Sequence, residues 1–94
     1  MKVQMEVSLY PFGVEDLLPP IKEFIEALRG ERLEVEVGPL SSYVVGESET
    51  LFSALGRAFE QAAGRSRCVL IAKVAHLTLS FPNNPEKKER TDQH

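Results

Sequence analysis

The chain has 94 residues, with 11 basic and 14 acidic side chains and a net charge of −3; that length suits one core in one domain, small enough for self-association to add useful buried area. The acidic balance argues against nucleic acid as a partner, because phosphate binding needs a basic stripe. A single cysteine, Cys68, excludes an internal disulfide or a Cys-Cys metal pair, and no apolar run approaches the roughly 18 residues of a membrane span.

The N-terminal stretch "KVQMEVSLY" alternates, with Val3, Met5, Val7 and Leu9 on one face and Lys2, Gln4, Glu6, Ser8 and Tyr10 on the other. That period of two is the pattern of a half-buried strand. It is not the continuous apolar core of a signal peptide, so a cytoplasmic protein is expected. The strand stops at Pro11, and "PFGVEDLLPP" supplies turn residues and an acidic helix start. Pro19 and Pro20 are tolerable only in a first turn, where a missing N–H leaves no intrahelical bond unmade. Leu17, Ile21, Phe24, Ile25 and Leu28 then fall at helical spacing, and Gly30 ends the run.

"RLEVEV" alternates again, with Leu33, Val35 and Val37 inward and Glu34 and Glu36 outward. Beyond a Gly38-Pro39 corner, "SSYVV" reads as a third strand and as the hairpin partner of the second. Gly46 is expected to break it, with Ser48 as N-cap of a second helix and Glu47 and Glu49 at the positive end of its dipole. Leu51, Phe52, Leu55, Ala58, Phe59 and Ala62 form the expected buried stripe, closed by Gly64. A last strand begins near Arg67 and can run to Phe81. It is apolar on both faces, with Val69 and Ile71 opposite Leu70 and Ala72, so burial of its second face by another subunit is expected.

The order strand, helix, strand, strand, helix, strand with right-handed crossovers predicts an α+β, ferredoxin-like βαββαβ sandwich: a four-stranded antiparallel sheet with two helices on one face. The domain is expected to span residues 1–82. Residues 83–94, "NNPEKKERTDQH", lack apolar side chains and read as a disordered polar tail.

Function on such a fold comes from a site, and several chemistries are missing. The first loop, "YPFGVED", lacks the thiol pair of a metal chaperone and the arginine of an acyl phosphate hydrolase. Aromatic residues within a basic sheet face, which RNA binding requires, are also lacking. Ser41 or Ser42 with His76 supplies nucleophile and base on paper, without a spacing that implies an orienting carboxylate. Lys73 interrupts the last strand and reads as snorkelling or as pairing across strands with Glu34 or Glu36. Cys68, inside "CVLIAKVA", reads as an inert core residue.

Two stretches together, "VSLYPFG" and "EVEVGPLSSYVVGE", resemble the small thiamine-binding family, single-domain relatives of a bacterial protein that carries two such repeats and binds thiamine or its hydroxymethylpyrimidine moiety. The resemblance runs from about Val3 to Ser80. It implies a ferredoxin-like fold, often assembled as a dimer of dimers, that binds a small pyrimidine and has no established catalytic activity; no cofactor is expected. The family pattern has Ser-Thr at Ser41-Ser42, and its two-repeat members end the last strand in a Ser-Asn-Ala-Cys-Pro-like segment where this chain has "AHLTLSFPNNP".

An aminopyrimidine presents ring acceptors, an amine donor and two flat faces, so its pocket needs short polar groups and something flat or apolar to stack on. Ser41 and Ser42, held by the Gly38-Pro39 corner, can supply the former. Ser8 and Tyr10 reach the same region if the first and third strands are neighbours, as this topology requires. Tyr43 joins them as a ligand contact or an interface residue, and Glu47 can accept from the amine or face a thiazolium. Each also has a plain structural role available: turn satisfaction for the serines, interface packing for the tyrosines, dipole stabilisation for Glu47. The alternatives are an oligomeric assembly or regulatory module without a thiamine ligand, and a hydrolase or lyase built on His76 and the serines.

Overall fold

The computed structural model describes residues 1–76. The order is β1 (Lys2–Pro11), α1 (Leu18–Arg29), β2 (Glu34–Val37), β3 (Ser42–Glu47), α2 (Ser48–Arg65) and β4 (Cys68–Ala75). The strands form one sheet in the order β2-β3-β1-β4, every neighbouring pair antiparallel. This is the expected ferredoxin-like βαββαβ arrangement. The expected extension of β4 to Phe81, the domain end at residue 82 and the tail from Asn83 lie outside the described residues.

Alternation along β1 decides which face meets the helices. Val3, Met5, Val7 and Leu9 are buried together with Val44 of β3, Phe24, Ile25 and Leu28 of α1, and Leu51, Ala54, Ala58 and Ala62 of α2 in one cluster. Removing each large side chain from water contributes on the order of 2 kcal/mol. Both helices therefore cover one face, and Gln4, Glu6, Ser8 and Tyr10 occupy the other.

Local chemistry explains the ends of α1. The Asp16 Oδ1 accepts from the Leu18 N–H at 3.1 Å, satisfying a donor that the helix cannot, and the two prolines occupy the first turn. Gly30 caps the other end, its N–H donating to the Glu26 carbonyl. Arg65 pairs with Glu23 at 2.9 Å, tying the end of α2 to α1, and Arg57 pairs with Glu31 at 2.9 Å.

Several expectations need correction. β3 runs through Gly46 to Glu47, so the N-cap of α2 is Glu47 and not Ser48. Gly46 sits there because a Cβ would collide with the Leu33 side chain. The helix continues past Gly64 to Arg65. Phe52 is half exposed while Ala54 is buried: α2 turns Ala54, Ala58 and Ala62 into the core, and Ala58 and Ala62 stand beside Pro20 and Phe24 of α1. At the start of α1, Leu17 is exposed as the N-cap residue. Cys68 is half-buried, packed at the edge of the core.

Candidate functional site

The open sheet face is ordered by the register. Across the strands it presents the row Glu36, Tyr43, Glu6, Lys73. One step toward the β2-β3 hairpin stand Ser41, Ser8 and Ile71, and beyond them Tyr10 and Val69.

The hairpin loop positions Ser41. The Gly38 N–H donates to the Ser41 carbonyl at 2.9 Å, closing a tight connection through Pro39 and Leu40. A Cβ at Gly38 would stand 2.9 Å from that carbonyl and 3.1 Å from the Tyr43 ring. Glycine is required here because a Cβ would meet the Ser41 carbonyl first and then the ring of Tyr43.

The Ser41 hydroxyl donates to Glu6 Oε2 at 2.8 Å, partly buried. The other oxygen of the same carboxylate faces Lys73 Nζ at 3.9 Å. Glu6 is thus held between β3 and β4, with Tyr43 directly opposite it. Lys73 pairs with Glu6 and not with Glu34 or Glu36, because β4 and β2 are opposite edges of the sheet. With a lysine side chain 80% exposed, that pair contributes little to stability.

The six residues singled out in the sequence separate into three groups. Ser8, Tyr10, Ser41 and Tyr43 share the open face beside the hairpin. Ser42 pairs with Val7 and Val37 on the helix-covered face and is buried, so the two adjacent hydroxyls point to opposite sides of the sheet. Glu47 is at the far end of β3, roughly 17 Å from Ser42 at 3.3 Å per residue. There its Oε1 accepts from the terminal amine of Met1 at 3.0 Å. It lines a separate concavity of about 440 Å³ with Lys2, Arg32 and Glu34.

His76 follows β4 at the same far end, since Ala75 faces Gln4, roughly 16 Å along the sheet from Ser41. The pairing of His76 with either serine therefore has no geometric basis. Among the described residues no cluster of His, Cys, Asp or Glu is arranged to hold a metal ion.

The residue missed in the sequence is Glu6. Its polar face and its neighbours Ser8 and Tyr10 were the available signal; its hydrogen bond to Ser41 depends on the β1-β3 register.

No helix among the described residues is long and apolar enough to cross a membrane. No curated protein matches the chain. Among solved structures, a candidate thiamine biosynthesis/salvage protein from Thermotoga maritima is similar with a TM-score of 0.79 at 24% identity, covering 94% of this chain and 99% of that one. A hypothetical protein from Methanocaldococcus jannascii gives a TM-score of 0.78 at 23% identity over 98% of this chain and 96% of that one. A domain of unknown function from Bacillus cereus gives 0.74 at 20% identity over 93% and 86%. At such identities the likeness establishes the fold alone. The model of the YKOF-related family matches residues 2–83, most of the chain, and the chain belongs to that family.

Proposed function

We propose that the chain is a non-enzymatic, cytoplasmic binder of thiamine or a related pyrimidine such as hydroxymethylpyrimidine, working as a homo-oligomer in the role of carrier, buffer or sensor. The observation that carries this reading is the Ser41 to Glu6 hydrogen bond on an otherwise open sheet face. It holds a carboxylate where it can accept from an exocyclic amine, next to a hydroxyl oxygen that can accept a second N–H or O–H of the ligand. Tyr43 and Tyr10 supply flat surfaces for the ring to stack on. Glu36 and Glu6 flank Tyr43 in one row, and that negative field suits a thiazolium cation. The name of the Thermotoga maritima neighbour points to the same ligand chemistry.

A small ligand is usually buried over most of its surface, and one sheet face covers only one side of it. A second copy laid on the face would supply the other side. The test is a thermal-shift titration with thiamine, its phosphates and hydroxymethylpyrimidine on the wild type, Ser41→Ala and Ser42→Ala. Binding by the wild type, weakened about tenfold (~1.4 kcal/mol) by Ser41→Ala and less than about twofold by Ser42→Ala, is the expected result. Equal losses in the two variants would remove the open face as the site.

The second reading is an assembly module without a thiamine ligand. It is favoured by the exposure of Val69, Ile71 and Val74 on β4. An oligomer that none of these compounds stabilises would select it.

A further inference from the structure

The far end of the open face, away from the hairpin, holds a concavity of about 440 Å³ whose charges are unevenly matched. The β1-β3 register sets Lys2 opposite Glu47, and one step inward Val45 stands between Gln4 and Glu34. Alternation turns all of these side chains to the open face. Arg32, two residues ahead of β2, enters from the other side of β3, its carbonyl 3.4 Å from where a Gly46 Cβ would stand. Lys2 and Arg32 therefore flank the end of β3, two strand spacings or roughly 10 Å apart at the backbone.

Pairing decides which of these charges are available. Glu47 Oε1 is held by the terminal amine of Met1 at 3.0 Å, and Glu31 Oε1 by the Arg57 guanidinium at 2.9 Å. Among the described residues Lys2, Arg32 and Glu34 form no ion pair. The concavity thus keeps two separated cations and one carboxylate for a ligand. Val45 and Leu33 give it an apolar lining, and the missing Cβ of Gly46 lets Leu33 close against β3.

We propose that this concavity is a second ligand site, for a small α-amino dicarboxylate. Such a molecule carries the inverse of the charges left unpaired: two anionic groups held apart by a short apolar chain, and one ammonium. The distal carboxylate goes to Lys2. The α-carboxylate goes to Arg32, whose fork of N–H donors matches a carboxylate, and the α-ammonium to Glu34, two residues further along the same segment. The methylenes lie over Val45 and Leu33. A compact anion such as phosphate would bring only negative charge to Glu34, and an amino acid with one carboxylate would leave one cation unmatched. The site is distinct from the row of Tyr43 and Glu6, since Glu47 lies four residues along β3 from Tyr43, roughly 13 Å.

The test is an NMR titration of the isotope-labelled full chain with L-glutamate in low-salt buffer free of phosphate. Glutarate, L-glutamine and orthophosphate are the comparison ligands. Saturable shifts centred on Lys2, on residues 31–34 and on residues 45–47 are expected, with half-saturation near 1 mM, on the order that exposed and individually weak ion pairs support. Glutarate lacks the ammonium and L-glutamine the distal charge, and each is expected to bind about fourfold more weakly. Arg32→Gln is expected to weaken L-glutamate about fivefold. Lys2→Gln is expected to erase the preference for L-glutamate over L-glutamine, and Glu34→Gln the preference over glutarate. A merely structural effect would weaken all of these ligands alike. The three substituted side chains are exposed, so the variants keep the fold.

No saturable shift at about 20 mM L-glutamate, far above the expected half-saturation, overturns the site. So does tighter binding of orthophosphate than of L-glutamate, or survival of both preferences in Lys2→Gln and Glu34→Gln. Shifts centred on Glu6 and Tyr43 overturn it as well, by placing the dicarboxylate on the other row. None of these outcomes bears on pyrimidine binding, which the Ser41→Ala titration decides separately.

Discussion

Ser41 and Glu6 form a hydrogen bond whose energetic coupling can be measured without any ligand. The 2.8 Å contact joins a hydroxyl at the hairpin to a carboxylate at the middle of β1, 35 residues earlier in the chain. Bonds to a charged group contribute about 1.5–3 kcal/mol where water cannot substitute. Glu6 is 37% exposed, so water replaces much of the lost donor and the expected coupling is about 1 kcal/mol.

The perturbation is a double-mutant cycle of Ser41→Ala and Glu6→Ala, followed by urea unfolding at one fixed protomer concentration, because association shifts apparent stability. Ser41→Ala alone is expected to cost about 1 kcal/mol, which in a parallel thermal melt lowers the midpoint temperature by about 5 °C in a domain of this size. Additivity of the two single changes, with a coupling below about 0.3 kcal/mol, would refute the reasoning. It would show that Glu6 is held by something other than the hydroxyl.

Leu28→Ala truncates a fully buried side chain and is expected to cost about 3 kcal/mol in urea unfolding with little change in slope. A loss below about 1 kcal/mol would mean that the core around α1 is looser than described. Gly46→Ala drives a methyl into Leu33 and is expected to cost about 1–2 kcal/mol; Leu33→Ala should then relieve part of that cost in the double variant, a non-additivity that a purely conformational effect at Gly46 would not give. Glu47→Gln breaks an ion pair whose two members are each about two-thirds exposed, so unfolding should change by less than about 0.5 kcal/mol. Pyrimidine affinity should be unchanged, because Glu47 lies at the opposite end of β3; a tenfold affinity loss would relocate the site to the Lys2–Glu47 concavity.

The order of elements was legible because alternation in β1 and β2 and helical spacing in α1 encode burial directly. The opposite orientation of Ser41 and Ser42 was also available, since adjacent strand residues point to opposite faces. Their adjacency in sequence had suggested a shared pocket instead. What the sequence could not supply is register. The Ser41 to Glu6 bond follows only once the hairpin closes at Gly38 and Ser41, because a one-residue slip would send every side chain to the other face. The pairing of Lys73 with Glu6 likewise follows from strand order.

The exchange of Phe52 for Ala54 in the buried stripe of α2 has another cause. Hydrophobic size favours Phe52, whereas the side of α2 turned to the core and to α1 carries the small side chains Ala54, Ala58 and Ala62. Gly46 misled for a similar reason, being a strand residue made small by contact with Leu33 and not a breaker.

The most direct test of the central claim is an isothermal calorimetric titration of the assembled wild-type chain with hydroxymethylpyrimidine and thiamine, repeated on Glu6→Gln. Saturable binding near one site per chain, lost or weakened at least tenfold by Glu6→Gln in a variant of unchanged mass, is the predicted result. Absence of binding at concentrations well above micromolar, or full binding by Glu6→Gln, would contradict it.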